Sequence, residues 1–230
     1  MKMKALRLAF INTLPVLVGY VFLGAAFGIL LDSKGYHFGW ALLMSLFIYA
    51  GSMQFVAVEL LTAGVNFWIA VFMTLMVNAR HLFYGLAMLE KYNDMGKAKP
   101  YMIFSLTDET FSLLCSAEVP AGVDKNRFYF FVSLLDQLYW VAGSVLGGLI
   151  GSVLSFDTKG IDFAMTALFV VIFIEQWKST EDHIPAAVGV CGSLLCLIIF
   201  GADNFILPSM VCILLLLTVL RKPIERRNEA

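Results

Sequence analysis

Charge is scarce in this sequence: Asp, Glu, Lys and Arg make up 14% of its 230 residues, where a soluble domain carries about 25%. Histidine is scarcer, at 3, and the 4 cysteines (Cys115, Cys191, Cys196, Cys212) lie in apolar stretches with no C-x-x-C and no histidine at zinc spacing. A disulfide framework and a zinc module are therefore not indicated, and no other metal site or cofactor is expected. No H-E-x-x-H, G-x-S-x-G, P-loop or dinucleotide fingerprint is present, so no catalytic residue is assigned and an enzyme is not the first reading. There is no long basic run of the kind that binds nucleic acid. Linkers and composition shifts are also missing, and residues 1–230 read as a single membrane domain.

What remains is apolar. Hydrophobic residues reach 60% and the mean hydropathy is +0.83, against about 45–50% apolar residues in a soluble domain. A helical crossing takes about 20 apolar residues. Eight apolar segments stand out, near 8–31, 40–63, 66–89, 101–117, 127–154, 161–177, 184–201 and 204–220. The first follows a basic start, as a secretory signal would, but it is too long and no A-x-A site follows, so it reads as a retained span. The fold class expected is all-α: a polytopic helical membrane protein with about 6–8 transmembrane segments.

Two halves are legible, 8–117 and 127–220. Leu23-Gly24-x3-Gly28 recurs as Leu146-Gly147-x3-Gly151, Asp32-Ser33-Lys34-Gly35 as Asp157-Thr158-Lys159-Gly160, and Gln54-Phe55 as Gln176-Trp177. Internal duplication is typical of secondary transporters. If all eight segments cross, the halves are parallel and Lys91, Lys97 and Lys99 face outside. If one segment of each half fails to cross, the repeat is inverted and those lysines join both tails in the cytoplasm. Flanking Lys and Arg favour the second arrangement, so an inverted repeat with broken helices is expected, with a cavity between the halves.

The residues that hydrocarbon should reject carry the functional reading, because ionisable groups at membrane depth usually face a cavity, a partner or a pathway. Gly51 and Ser52, with Gln54 nearby, lie midway through the second segment, where a Gly-Ser pair can open a helix and free backbone groups. Asn78, Arg80 and Tyr84 lie in the third; Arg80 can clamp a carboxylate bidentately. These six are the substrate-binding candidates. His81 titrates near neutrality, and the adjacent carboxylates Asp108 and Glu109 disfavour each other's charge, which suits proton coupling. A structural Asp–Arg80 pair is the alternative. Asp136, Tyr139, Glu175 and Gln176 are secondary candidates.

The stretches YAGSMQF (49–55), VNARHLFYG (77–85), LTDETF (106–111) and FAMTALFVVIF with EQW (163–177) resemble the AzlC family, over residues 8–220. The resemblance implies the large subunit of a bacterial branched-chain amino-acid exporter. Its expected cargo is leucine, isoleucine, valine, analogues such as azaleucine, and in some members methionine. It further implies proton antiport, a small hydrophobic AzlD-type membrane subunit as partner, surrounding membrane lipids, and multi-pass residence in the bacterial inner membrane with both termini cytoplasmic. A higher oligomer is compatible with this reading. A passive channel and an intramembrane enzyme are the competing classes.

Overall fold

A computed structural model describes residues 2–153, 182–201 and 205–228, with scattered helical positions between 163 and 178. Every regular element among the described residues is helical, as the composition requires. The chain divides into two compact units, Met1–Thr166 and Ala167–Ala230. In the first unit lie α1 (Lys2–Ser33), α2 (Phe38–Phe47), α3 (Gly51–Ala63), α4 (Phe67–Met88), α5 (Lys99–Phe104), α6 (Asp108–Ser116) and α7 (Lys125–Val153). Three of these, α1, α4 and α7, are long and apolar enough to cross a membrane.

The unit is organised on a seam between α1 and α7. A Cβ on Gly24 would lie 3.0 Å from the Ser144 amide nitrogen, and one on Gly143 would lie 2.8 Å from the Val21 carbonyl. Gly28 and Gly147 meet the facing backbone more closely still. Small residues let the two backbones touch where a larger side chain would hold them apart. Contacts climb both helices together: Thr13 with Tyr139, Gly24 with Ser144, Gly28 with Gly148, Asp32 with Gly151. The helices therefore run parallel.

Helices α1 and α7 carry the matching Leu-Gly-x3-Gly sequences, and they point the same way because two of the segments between them, not one, turn back halfway. The first is 38–63. Helix α2 starts level with the end of α7, Phe38 packing on Gly148, and descends until the Leu46 carbonyl accepts from Gln137 Nε2 at 3.3 Å. The chain then reverses at Tyr49, whose φ of +44° is left-handed, a conformation that strains a bulky residue. Helix α3 climbs back to the end of α1, where Glu59 lies 3.7 Å from Lys34.

The second reversal is 99–116, from the opposite end. Helix α5 rises to the depth of Gln137, whose Oε1 accepts from the Tyr101 hydroxyl at 2.8 Å. After a break at 105–107, α6 returns, and Lys91 Nζ donates to the carbonyl of Leu114 at 3.0 Å. At this end Ala5, Ala9, Met88, Tyr92, Phe128 and Tyr129 share one apolar cluster. Lys2, Lys4, Arg7, Lys91, Lys97, Lys99, Lys125 and Arg127 belong to the segments at this end, whereas among the described residues of this unit Lys34 is the basic residue of the far end. The 90s turn thus lies beside the N-terminal tail, and α1 and α4 are the helices of 8–117 long and apolar enough to cross a membrane.

In the second unit α8 (Ile184–Phe200) and α9 (Ile206–Asn228) pack together. Gly192 approaches Ile213, where a Cβ would lie 3.0 Å from Cγ1. Gly201, with φ +75°, ends α8.

Candidate functional site

The two hairpin tips meet at mid-depth, and their rings Tyr49 and Phe104 lie 6.4 Å apart. Helices α3 and α6 both begin there, so two half-helix N-termini converge, each carrying partial positive charge. Their caps differ. Thr107 caps α6, its Oγ1 accepting the Thr110 amide at 3.3 Å, and Asp108 and Glu109 occupy the first turn. Ala50 precedes α3 and has no side chain with which to cap it.

Arg80, on α4, bridges these tips. One guanidinium nitrogen donates to Ser52 Oγ, and the other forms an ion pair with Asp108 Oδ2. Its Nε has no hydrogen-bond partner among the described residues. Both members of the pair keep about a quarter of their side-chain surface, at 22% and 26%, so the pair borders an accessible space. Tyr84, one turn along α4, stacks on Phe111 with ring centroids 4.6 Å apart, and its ring meets that of His81 edge-on at 5.9 Å. Asn78 and His81 are half-buried on the same helix.

Other candidates serve the frame. Gln54 is fully buried and sits between Ser45 and Trp140, donating to the first at 3.3 Å and accepting from the indole at 2.8 Å. That indole packs against Gly51, where a Cβ would meet the ring at 3.1 Å. Tyr139 meets Thr13 at 3.2 Å across the α1–α7 seam. Glu175 and Gln176 lie outside the described residues.

Asp136 is fully buried on α7, and Thr110 Oγ1 donates to its Oδ2 at 2.7 Å. Glu109 Oε2 accepts from the Tyr20 hydroxyl at 2.7 Å, and that hydroxyl also lies 2.6 Å from Thr107 Oγ1. The sequence reading singled out neither Tyr20 nor Thr110. A lone tyrosine or threonine in an apolar run costs too little to stand out; only its mid-span position marks it.

No group of three or more His, Cys, Asp or Glu positioned to hold a metal occurs among the described residues. The site offers one cation, one paired acid, two further acids and an uncapped helix start. Such a set can hold a zwitterion and store a proton.

A family model described as AzlC protein matches residues 15–154. The chain is 53% identical to the branched-chain amino acid transport protein AzlC of Bacillus subtilis, over 96% of this chain and 87% of that one. It is 44% identical to an uncharacterized membrane protein of Helicobacter pylori, over 97% and 98%. It is 27% identical to the inner membrane protein YgaZ of Escherichia coli, over 87% and 84%. No solved structure matches. The match spans both hairpin tips and Arg80 between them, and the chain belongs to the AzlC family.

Proposed function

We propose that the chain is a secondary transporter of branched-chain amino acids, working in the direction of export by proton antiport. The observation that carries this reading is Arg80 held between two half-helix starts at mid-depth. Broken helices pointing their N-termini at a carboxylate are a recurring transporter device. In this reading the substrate carboxylate lies at the uncapped start of α3, against the amides of Gly51 and Ser52 and the free Nε of Arg80. Asn78 and Tyr84 border it, and Gln54 holds the α3 start in place through Trp140. Asp108 keeps Arg80 oriented, and His81 and Glu109 are the titratable groups next to the carboxylate. The family relationship to AzlC of Bacillus subtilis supports the substrate class.

Orientation follows from charge. Eight basic residues at the N-terminal end against Lys34 at the other support a cytoplasmic N-terminus in the bacterial inner membrane. The resemblance supports a small AzlD-type subunit as partner. Helix α4 buries Met88 alone among its residues, which leaves surface for lipid or a second chain.

The test is flux. Proteoliposomes holding labelled leucine or valine, with an imposed pH gradient, should release substrate faster than empty-vector controls, and release should follow the gradient. Gradient-independent leakage would support a channel; chemical conversion of lipid or peptide without flux would support an enzyme. Arg80→Lys should reach normal abundance and lose at least about tenfold in rate, since an ammonium cannot reproduce the planar two-pronged contact.

A further inference from the structure

Glu109 and Asp136 are joined by an unbroken line of hydroxyls. From Glu109 Oε2 the line runs to Tyr20 Oη at 2.7 Å, to Thr107 Oγ1 at 2.6 Å, to Thr110 Oγ1 at 3.0 Å, and to Asp136 Oδ2 at 2.7 Å. All four separations are hydrogen-bond distances, and each needs one hydrogen. Three hydroxyls supply three. With both carboxyls ionised, one contact would bring lone pair against lone pair. A fourth hydrogen on either carboxyl satisfies the whole line.

A second observation points the same way. Asp136 has no exposed surface, and its Oδ1 has no hydrogen-bond partner among the described residues. The ionisable groups around it are Tyr49 from the first hairpin tip, Tyr101 from α5, Tyr20 from α1 and Glu109 from α6; none is a cation. Arg80, beside Glu109, already faces Asp108. A buried carboxylate with a single donor and no counter-charge is unfavourable.

We propose that Glu109 and Asp136 hold one proton between them, passed along the relay Tyr20–Thr107–Thr110. With the proton on Glu109, each hydroxyl donates toward Asp136; with the proton on Asp136, each donates toward Glu109. Transfer breaks one O–H bond and forms another at each of the three hydroxyl oxygens, while one carboxyl loses its hydrogen and the other gains one, so hydrogens and charge balance. The two acids titrate as a pair rather than singly. Glu109 is the end that keeps some surface and Asp136 the sealed one, so the relay carries a proton from the site's edge into the α1–α7 seam. Its use in transport rests on the proton-coupled reading above.

The experiment is infrared difference spectroscopy of the full chain in nanodiscs near neutral pH. The wild type should show the carbonyl stretch of a protonated carboxyl, shifting in D2O. Asp136→Asn should abolish it, because the amide supplies the fourth hydrogen and leaves Glu109 ionised, whereas Glu109→Gln should leave a band that titrates as a lone carboxyl. Thr110→Ser should keep it as a pair titration, and Thr110→Val should split the pair into two independent titrations. A wild type without the band, a band that survives Asp136→Asn, or a titration unmoved by Glu109→Gln overturns the proposal. Flux measured on the same samples separates the two readings. Flux without pH dependence, with the band intact, removes proton-coupled transport and leaves the shared proton standing.

Discussion

The two hairpin tips have the same geometry and opposite chemistry. Each is a chain reversal at mid-depth followed by a helix whose first turn faces Arg80. At Ala50-Gly51-Ser52 the tip is neutral and uncapped; at Thr107-Asp108-Glu109 it is capped, doubly acidic and tied into a hydroxyl line. A capped N-terminus with acids in its first turn already has its dipole answered. An uncapped one has not. In the proposed reading the difference divides the work: the second tip would hold protons and the arginine, and the first would offer donors to an incoming anion.

The largest way to break this comparison is at the acidic tip. Asp108→Asn leaves Arg80 without its counter-charge and should cost about 3–5 kcal/mol, the usual effect of stranding one member of a shielded pair. Thermal unfolding in detergent and membrane abundance check it; unchanged melting would mean that Arg80 has other support. Ser52→Ala, on the neutral tip, removes a hydrogen bond to a charged group and should cost about 1.5–3 kcal/mol, leaving the ion pair intact. If it equals or exceeds the Asp108 effect, the two tips are not ranked as described.

A smaller change sharpens the comparison instead. Ala50→Ser supplies the cap that α3 lacks, on a non-helical backbone (φ −133°, ψ 87°), and should raise stability by about 1 kcal/mol. The same serine would compete with a substrate carboxylate for the α3 amides, so leucine and valine binding should weaken while melting improves. Tighter binding would place the carboxylate elsewhere. The last prediction concerns direction rather than energy. Single cysteines at Ser33 and Ser152 should label from the same face of the membrane, and one at Lys97 from the other. Opposite labelling of the first two would overturn the parallel sense of α1 and α7.

The sequence shows some of this directly. Arg80, Asp108 and Glu109 stand out because ionised groups in apolar segments are rare, and the Gly-x3-Gly pairs mark the seam they form. The reversals are hidden for a physical reason. Segment 40–63 is long and apolar, and a hairpin that dips halfway and returns needs the same length and composition as one full crossing. Tyr49 turns the chain through a left-handed backbone that no sequence rule assigns to tyrosine. Repeat orientation depends on whether the number of crossings is odd or even, so one misread segment reverses it. Gln54 looked like a binding residue because amides are costly in apolar surroundings; the cost is met by Ser45 and Trp140.

The parallel seam has a consequence for biogenesis. Its two glycine faces belong to α1 and to a helix that begins only at Lys125. Ribosomes add about 5–20 residues per second, so α1 waits on the order of 5–20 seconds in the bilayer before its partner emerges. During that interval Gly24 and Gly28 offer a bare, closely packing surface to any neighbouring helix. Protein ending before α7 should therefore be trapped in foreign pairings or degraded, whereas supplying α7 in trans as a separate chain should rescue it.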